Sequence, residues 1–115
     1  MRTDDFAVRH LKETTNMPLD WSEVQRRYGA GAKIPTVAGG KTLEITSVDN
    51  DKIHIRHSLW SDSLSREHLE KAARLIEEGR ITRHAGLFAE EYRVEVADVR
   101  ATSAAHVLKH LGFLE

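Results

Sequence analysis

Residues 41–58, KTLEITSVDNDKIHIRHS, contain two runs of alternating apolar and polar side chains, separated by Asp49, Asn50 and Asp51. A period of two is typical of strands with one buried face, because successive side chains point to opposite faces of a sheet. Aspartate and asparagine are common in turns, since their short side chains bond to the neighbouring backbone. The stretch therefore predicts an antiparallel hairpin.

The register of this hairpin depends on which residues must share a face. A loop of three residues, 49–51, puts the apolar residues of both strands on one face. A two-residue loop would shift the pairing by one residue and divide the apolar residues between the faces. We therefore predict the three-residue loop. The cross-strand pairs that it gives are Glu44 with Arg56, Ile45 with Ile55, Thr46 with His54 and Ser47 with Ile53.

Upstream of the hairpin, PTVAGGKT (35–42) differs from a phosphate-binding loop, G-x-x-x-x-G-K-[ST], only where Pro35 replaces the first glycine. Such a loop joins a strand to a helix whose first amides point at the phosphates. Here a strand-like run follows Lys41, and proline has no amide hydrogen to offer. We therefore predict a hairpin corner at Gly39-Gly40 that joins IPTVA to KTLEITSV and completes a three-stranded meander.

Two helices are indicated by both their ends and their apolar stripes. DWSEVQRRYG (20–29) and SREHLEKAARLIEEG (65–79) each begin with a capping residue, Asp20 or Ser65, and end at a glycine. Charged residues occupy the opposite side of each helix and indicate a solvated surface. The residues expected in the core are Trp21, Val24, Tyr28, Leu69, Ala72, Leu75 and Ile76.

Three further segments complete the predicted fold. Residues 4–15 favour a short helix, and residues 87–99 fit a helix or a strand, with the helix slightly favoured. SAAHVLKHLG (103–112) favours a last helix, capped by Thr102 or Ser103. The expected class is α+β: a three-stranded antiparallel β-meander packed with amphipathic helices, in the order α-α-β-β-β-α-α. One domain over residues 1–115 is expected.

Composition excludes several classes of protein. The chain of 115 residues has no cysteine, which excludes disulfide scaffolds, thiolate metal sites and a cysteine nucleophile. A net charge of −1, balanced along the chain, argues against a dedicated nucleic-acid protein. Acidic residues near the N-terminus and the lack of a long apolar run predict a cytoplasmic protein without membrane contact. No cofactor is predicted.

The histidine pair His106 and His110 is the main candidate for metal chemistry. A spacing of four residues places both imidazoles on one side of a helix, as in metal-binding helices. The glutamate that acts as the base in HExxH enzymes is missing, since Val107 follows His106. A structural role at the polar edge of the helix is preferred, and the metal site is the alternative.

Partner binding is the other candidate role. Trp60 lies in a serine-rich stretch that is predicted as a loop, where it is either a lid on the sheet or an exposed anchor. A three-stranded sheet also leaves two open edges, so pairing with a second chain in a homodimer is expected as one way to close them. The residues assigned to partner binding are Trp60, His54, Arg56, Arg26, Arg27 and Lys41.

The sequence favours a small non-catalytic interaction or regulatory module with a protein partner, because no catalytic constellation is marked in it. A nucleic-acid-binding accessory domain is the alternative, if the fold gathers the basic residues. A histidine-based metal site or enzyme is the third hypothesis.

Overall fold

The computed structural model describes residues 18–57 and 60–115, with only the backbone of His57 and Trp60. The predicted helix over residues 4–15 lies outside these residues. The elements are α1 (Trp21–Tyr28), β1 (Ala32–Pro35), β2 (Thr42–Val48), β3 (Lys52–His57), β4 (Trp60–Ser65), α2 (Arg66–Glu77), α3 (Ala85–Glu95) and α4 (Ala101–His110). The strands form one antiparallel sheet in the order β1-β2-β3-β4, which confirms the α+β class.

The sheet has four strands, and the prediction of three is wrong. The serine-rich stretch before α2, predicted as a loop, is β4, in which Ser63 lies opposite His54 and Leu64 opposite Ile53. In the described part of β4, Leu64 is the only buried hydrophobic side chain, so the strand has almost no apolar alternation. Three helices follow the sheet where the predicted order has two.

The predicted N-terminal caps agree with the structure in α1 and α2 and differ from it in α4. The Asp20 carboxylate accepts a hydrogen bond from the Ser22 amide at 3.0 Å, and the Ser65 hydroxyl accepts one from the His68 amide at 3.3 Å. All seven residues expected in the core are buried. Helix α4 begins after Arg100, without a side-chain cap, so the prediction of Thr102 or Ser103 as its cap is wrong.

Residues 87–99 fitted either a helix or a strand in the sequence. Residues 87–95 belong to α3, as the preferred helix prediction has it, and residues 96–99 lie outside the helix. None of the helices in the described part of the chain combines the length and the apolar character needed to cross a membrane.

Among the described residues, only one face of the sheet belongs to the core. Helix α1 packs against β2, α4 against β1 and α2 against β4. On the opposite face Glu44 lies between Lys33 and Arg56, and Arg56 donates two hydrogen bonds to its carboxylate, at 3.2 and 3.0 Å. These bonds lower the pKa of the Glu44 carboxyl. The inner face consists of Ile34, Leu43, Ile45, Ile53, Ile55 and Leu64.

The turn end of the β2–β3 hairpin has the register of a two-residue loop. The Asp49 amide donates to the Lys52 carbonyl at 3.0 Å, and Val48 lies opposite Ile53. The predicted three-residue loop, with Ser47 opposite Ile53, is therefore wrong at this end.

A β-bulge restores the predicted register further along the strands. The register changes between Ile45 and Ser47, which makes Thr46 the extra residue. Beyond the bulge Ile45 lies opposite Ile55, as predicted. The predicted pairing of Thr46 with His54 is wrong, and the Thr46 hydroxyl instead donates to the His54 carbonyl at 3.2 Å. The bulge allows the apolar residues on both sides of it to face the helices.

Asp49 connects this turn to α1. Its carbonyl accepts a hydrogen bond from Trp21 Nε1 at 2.8 Å. One carboxylate oxygen accepts from the amides of Asp51 and Lys52, at 2.7 and 2.8 Å, and the other lies 2.7 Å from His54 Nε2. The bond to His54, followed by those from the backbone, lowers the pKa of the Asp49 carboxyl to about 2.

Features at both edges of the sheet work against pairing with another strand. On the β1 edge, Pro35 has no N–H to donate. On the β4 edge, Asp62 lies opposite Ile55 on the core side, accepts from the Ser63 amide at 2.8 Å and forms an ion pair with Arg100. An inward-pointing charge on an edge strand discourages strand addition. Dimerisation through paired sheet edges stays a prediction. The features of these two edges support it less than two open edges would.

We expect Asp49→Asn to reduce stability at neutral pH and to remove part of the acid sensitivity of the fold. In the folded protein the pKa of the Asp49 carboxyl lies below its ordinary value of 3.8. The ionised carboxylate therefore stabilises the fold above about pH 4, and this contribution is lost as the pH falls towards about 2. Urea unfolding at several pH values should show the difference between wild type and variant shrinking over that range.

Asp51→Asn is the matched control, because it changes a neighbouring carboxyl outside this network. A difference for Asp49→Asn that stayed constant down to pH about 2 would contradict the assigned role of the carboxylate.

Candidate functional site

The stretch that resembles a phosphate-binding loop connects β1 to β2. Strand β1 ends at Pro35 and β2 begins at Thr42, so residues 36–41 form the connection. The predicted two-residue corner at Gly39-Gly40 is therefore wrong, since the loop is wider. A strand follows the loop, as predicted, and it provides no helix N-terminus to receive the phosphates of a nucleotide.

Backbone hydrogen bonds and glycines shape this loop. The Thr36 amide donates to the Lys41 carbonyl at 3.1 Å, and the Gly39 amide donates to the Thr36 carbonyl at 3.0 Å. Gly39 and Gly40 have φ values of 81° and 80°, which residues with a side chain rarely adopt. The glycines of the motif therefore serve the turn itself.

The loop packs against the C-terminal part of α4. The Val37 amide donates to Nδ1 of His106 at 3.0 Å, and Lys109 Nζ lies 3.5 Å from the Val37 carbonyl. A concave space of about 440 Å³ remains between the loop and the helix, here named the loop–α4 cleft. It is lined by Pro35–Gly39, His106, Lys109 and His110.

Helix α1 holds His110 from the other side. The Tyr28 hydroxyl lies 2.6 Å from His110 Nδ1, and the two ring centroids are 5.7 Å apart. Burial raises the pKa of Tyr28, so its hydroxyl stays protonated and can donate to the imidazole. Burial, and then the charge of Arg27, lower the pKa of His110, so the ring is neutral at neutral pH.

Nδ1 of each histidine is already engaged, by Val37 in His106 and by Tyr28 in His110, so neither Nδ1 is open to a metal ion. A backbone amide can only donate, so Nδ1 of His106 carries a lone pair and its neutral ring is protonated on Nε2. A metal ligand needs an unprotonated nitrogen. Within residues 18–57 and 60–115, no three His, Cys, Asp or Glu side chains are grouped to hold a metal ion. The geometry therefore favours an anion as the ligand.

The chain segments that form the cleft contain no carboxylate side chain. Residues 29–43, GAGAKIPTVAGGKTL, and residues 99–114, VRATSAAHVLKHLGFL, have lysine, arginine and histidine but neither aspartate nor glutamate. Arg27 adds a further cation beside His110, with its guanidinium carbon 5.7 Å from the centre of the Tyr28 ring. The cleft is therefore cationic although the net charge of the chain is −1. These two acid-free runs can be seen in the sequence. They disappear when the charge is summed over longer parts of the chain, because acidic residues elsewhere offset them.

The residues predicted to bind a partner do not form one surface. Arg27 and the histidine pair converge at the cleft, while the other basic residues have their own partners or lie apart. The side chain of Trp60, predicted as a lid or an anchor, lies outside the described residues. Arg26 pairs with Glu23, Arg56 with Glu44 and His54 with Asp49, while Lys41 is exposed at the end of the loop.

Comparison of the chain with protein-family models, curated proteins and solved structures gave no significant match. The chemistry of the cleft is therefore the basis for a functional proposal.

We expect His106→Leu to loosen the loop, because the Val37 amide loses its acceptor. The loss of one such hydrogen bond costs on the order of 1 kcal/mol of the free energy of unfolding. Hydrogen exchange followed by NMR should show faster exchange at the Val37 amide, and urea unfolding should show the lower stability. His106→Asn keeps an acceptor near the position of Nδ1 and is the matched control. Equal exchange rates in the two variants would show that the bond does not hold the loop.

Proposed function

We propose that this protein is a non-catalytic binding module that holds an anionic segment of a protein partner in the loop–α4 cleft. The observation that carries the proposal is the composition of the cleft. Among the described residues, its lining includes His106, Lys109 and His110 and no carboxylate side chain, and Arg27 lies beside it. Positive charge in a concave surface attracts an anion more strongly than the same charge on an open surface, because the surrounding protein displaces water.

The cleft offers hydrogen bonds as well as charge. Lys109 Nζ approaches the Val37 carbonyl only at 3.5 Å, the upper limit for a hydrogen bond, so a carboxylate can replace this contact at little cost. Nδ1 of His110 is hydrogen-bonded to the Tyr28 hydroxyl, and when that hydroxyl donates, the neutral ring offers the hydrogen on Nε2 to a ligand. Charge-assisted bonds of this kind are roughly twice as strong as neutral ones.

The same groups lack the arrangement of an acid–base catalyst. A catalytic histidine is usually oriented by a carboxylate and paired with a nucleophile. Nδ1 of each histidine in the cleft is occupied by Val37 or Tyr28, and the Thr36 hydroxyl donates to the Gly39 carbonyl at 3.3 Å. The arrangement supports binding over catalysis.

An apolar docking surface receives less support. The large exposed hydrophobic residues among those described are Leu87, Val94 and Val99. Leu87 and Val94 lie on α3 with Glu90 and Glu91 between them, so they do not form a continuous apolar patch.

Nucleic acid is the second candidate ligand, favoured by the approach of Arg27 to the cationic end of α4. Two observations place it second. Arg26 and Arg56, which would extend the cationic surface, are paired with carboxylates. A cleft of about 440 Å³ is also compact, whereas the phosphate backbone is bound by many cations along an extended track.

The test is to remove the positive charge from the cleft. Arg27→Gln combined with Lys109→Gln should weaken the binding of a fluorescent oligoglutamate peptide by about tenfold or more, since each charge-assisted hydrogen bond contributes roughly 1.5–3 kcal/mol. Fluorescence anisotropy at fixed ionic strength measures the affinity. The matched control is Arg26→Gln with Lys71→Gln, which removes the same charge from exposed helix positions away from the cleft.

Equal losses in the two double variants, or no saturable binding of the peptide by the wild type, would contradict the proposal. A labelled oligothymidylate that binds where the peptide does not, with an affinity that falls steeply with salt, would favour nucleic acid as the ligand.

Peptide binding should strengthen as the pH falls below 6.5, the ordinary pKa of a histidine side chain. Burial and Arg27 keep His110 neutral in the free protein, and a bound carboxylate favours its protonated form, so binding and protonation support each other. The peptide carboxyls stay ionised down to about pH 5.5, so they do not produce the trend. Anisotropy titrations between about pH 7.5 and 5.5 measure the effect. His110→Asn should flatten the dependence, and an unchanged slope would exclude His110 as its source.

A further inference from the structure

A second cavity, of about 150 Å³, lies where β4 continues into α2. It shares no lining residue with the loop–α4 cleft. Within the described part of the chain, its polar lining has no carboxylate side chain and consists of Lys52, Ser63, Ser65, His68, Tyr92 and Arg100.

Tyr92 is the unusual group in this cavity. Its residue surface is only 2% exposed, and no hydrogen bond to its hydroxyl is present among the described residues. No fully enclosed side-chain nitrogen or oxygen in the described chain lacks a partner, so the hydroxyl must have some accessible surface. We infer that it opens into the cavity that Tyr92 lines. A buried tyrosine hydroxyl usually has a hydrogen-bond partner within the protein. The Tyr92 hydroxyl has none among the described residues, so it can donate to an acceptor bound in the cavity.

The hydroxyl stays a donor at every physiological pH. Burial raises the pKa of Tyr92 to about 12, so the phenol is not ionised. An acceptor in this cavity therefore receives a hydrogen bond from Tyr92 and is favoured if it is an anion, because hydrogen bonds to charged groups are stronger than neutral ones.

Positive charge reaches the cavity from two elements. Ser65 caps α2, a helix of 12 residues, and accepts from the His68 amide at 3.3 Å, so the positive end of the helix dipole lies at the cavity. Lys52 lies opposite Ser65 in the sheet, and no ion pair joins its amine to a carboxylate within the described chain.

Arg100 lines another part of the cavity and is paired with an acid. It is the only residue other than glycine with a positive φ, 54°, in the described chain, and its guanidinium bonds to Asp62. The Asp62 carboxylate also accepts from the Ser63 amide at 2.8 Å. Asp62 does not line the cavity, and its charge is already compensated, so it presents little repulsion to an anion.

We propose that this cavity binds a phosphate group, held by the hydroxyl of Tyr92 and by the positive charge of Lys52 and the first turn of α2. The site is separate from the loop–α4 cleft and does not depend on the function proposed for it. A volume of about 150 Å³ suits a single tetrahedral oxyanion and lies below the roughly 300–1,000 Å³ typical of sites for drug-sized ligands. Free phosphate and a phosphate monoester share this chemistry.

Titration of the ¹⁵N-labelled protein with inorganic phosphate, at constant pH and ionic strength, tests the proposal. Saturable shifts are expected at the amides of residues 65–68. Tyr92→Phe keeps the ring and removes the hydroxyl, and it should weaken binding by about tenfold. Lys52→Gln, at an exposed position, should also weaken binding and serves as a second variant if Tyr92→Phe fails to fold. Lys71→Gln removes an exposed lysine that does not line the cavity and should leave the affinity unchanged.

A parallel titration with glycerol phosphate distinguishes the two sources of the phosphate group. Tighter binding of the monoester indicates a phosphorylated ligand, and tighter binding of inorganic phosphate indicates the free ion, and both support the site. The proposal is overturned by the absence of saturable shifts, by wild-type affinity in both Tyr92→Phe and Lys52→Gln, or by shifts confined to residues 36–39 and 106–110. The last result would place the anion in the loop–α4 cleft, so failure here is distinguishable from failure of the proposed function.

Discussion

Helices α1, α2 and α4 bury the inner face of the sheet, which contains Ile34, Leu43, Ile45, Ile53 and Ile55. Complete burial of an aliphatic side chain of this size contributes about 1.5–3 kcal/mol, so this face is a large part of what stabilises the fold. Because strand side chains alternate, covering one face leaves charged and hydroxyl side chains on the other. The bulge at Thr46 follows from the same constraint, since it lets Ile45 and Val48 share the inner side despite the two-residue turn.

The packing of the helices on the inner face of the sheet also forms the loop–α4 cleft. Helices α1 and α4 cover neighbouring strands, β2 and β1, and each carries basic residues in its last turn. A cation at a helix C-terminus is favourable for the helix itself, because it offsets the negative end of the dipole. The basic residues at the end of each helix are therefore favourable for that helix by itself. Their convergence beside the β1–β2 loop is a consequence of how both helices cover the sheet.

The sequence predicts what depends on neighbouring residues and misses what depends on distant ones. Alternation and caps were sufficient for β2, β3, α1 and α2, because each signal lies within one element. Strand β4 has Leu64 as its only described buried hydrophobic residue, so pairing with β3 and not its own pattern makes it a strand. The bulge at Thr46 could not be foreseen, since both registers of the hairpin satisfied part of the pattern.

The candidate site shows the same difference between features that depend on neighbouring residues and features that depend on distant ones. His106 and His110 were identified from the sequence as a candidate metal site, and Arg27 was identified separately as a partner-binding residue. The contacts that unite them are long-range: Val37 and His106 are 69 positions apart, and Tyr28 and His110 are 82 positions apart. Whether Nδ1 of either histidine is open to a metal depends on these contacts, so residue types alone could not decide between the two ligands.

Helix α4 lies between the two proposed sites, with Arg100 at its start and His110 at its end. Its 10 residues span about 15 Å, a distance over which an anion at one end has little direct effect on a charge at the other in salt solution. Coupling through the helix would require two alternative arrangements of it. Its inner side, with Ala104, Val107 and Leu108 fully buried, is packed in one arrangement. We therefore expect the phosphate site and the loop–α4 cleft to bind their ligands independently.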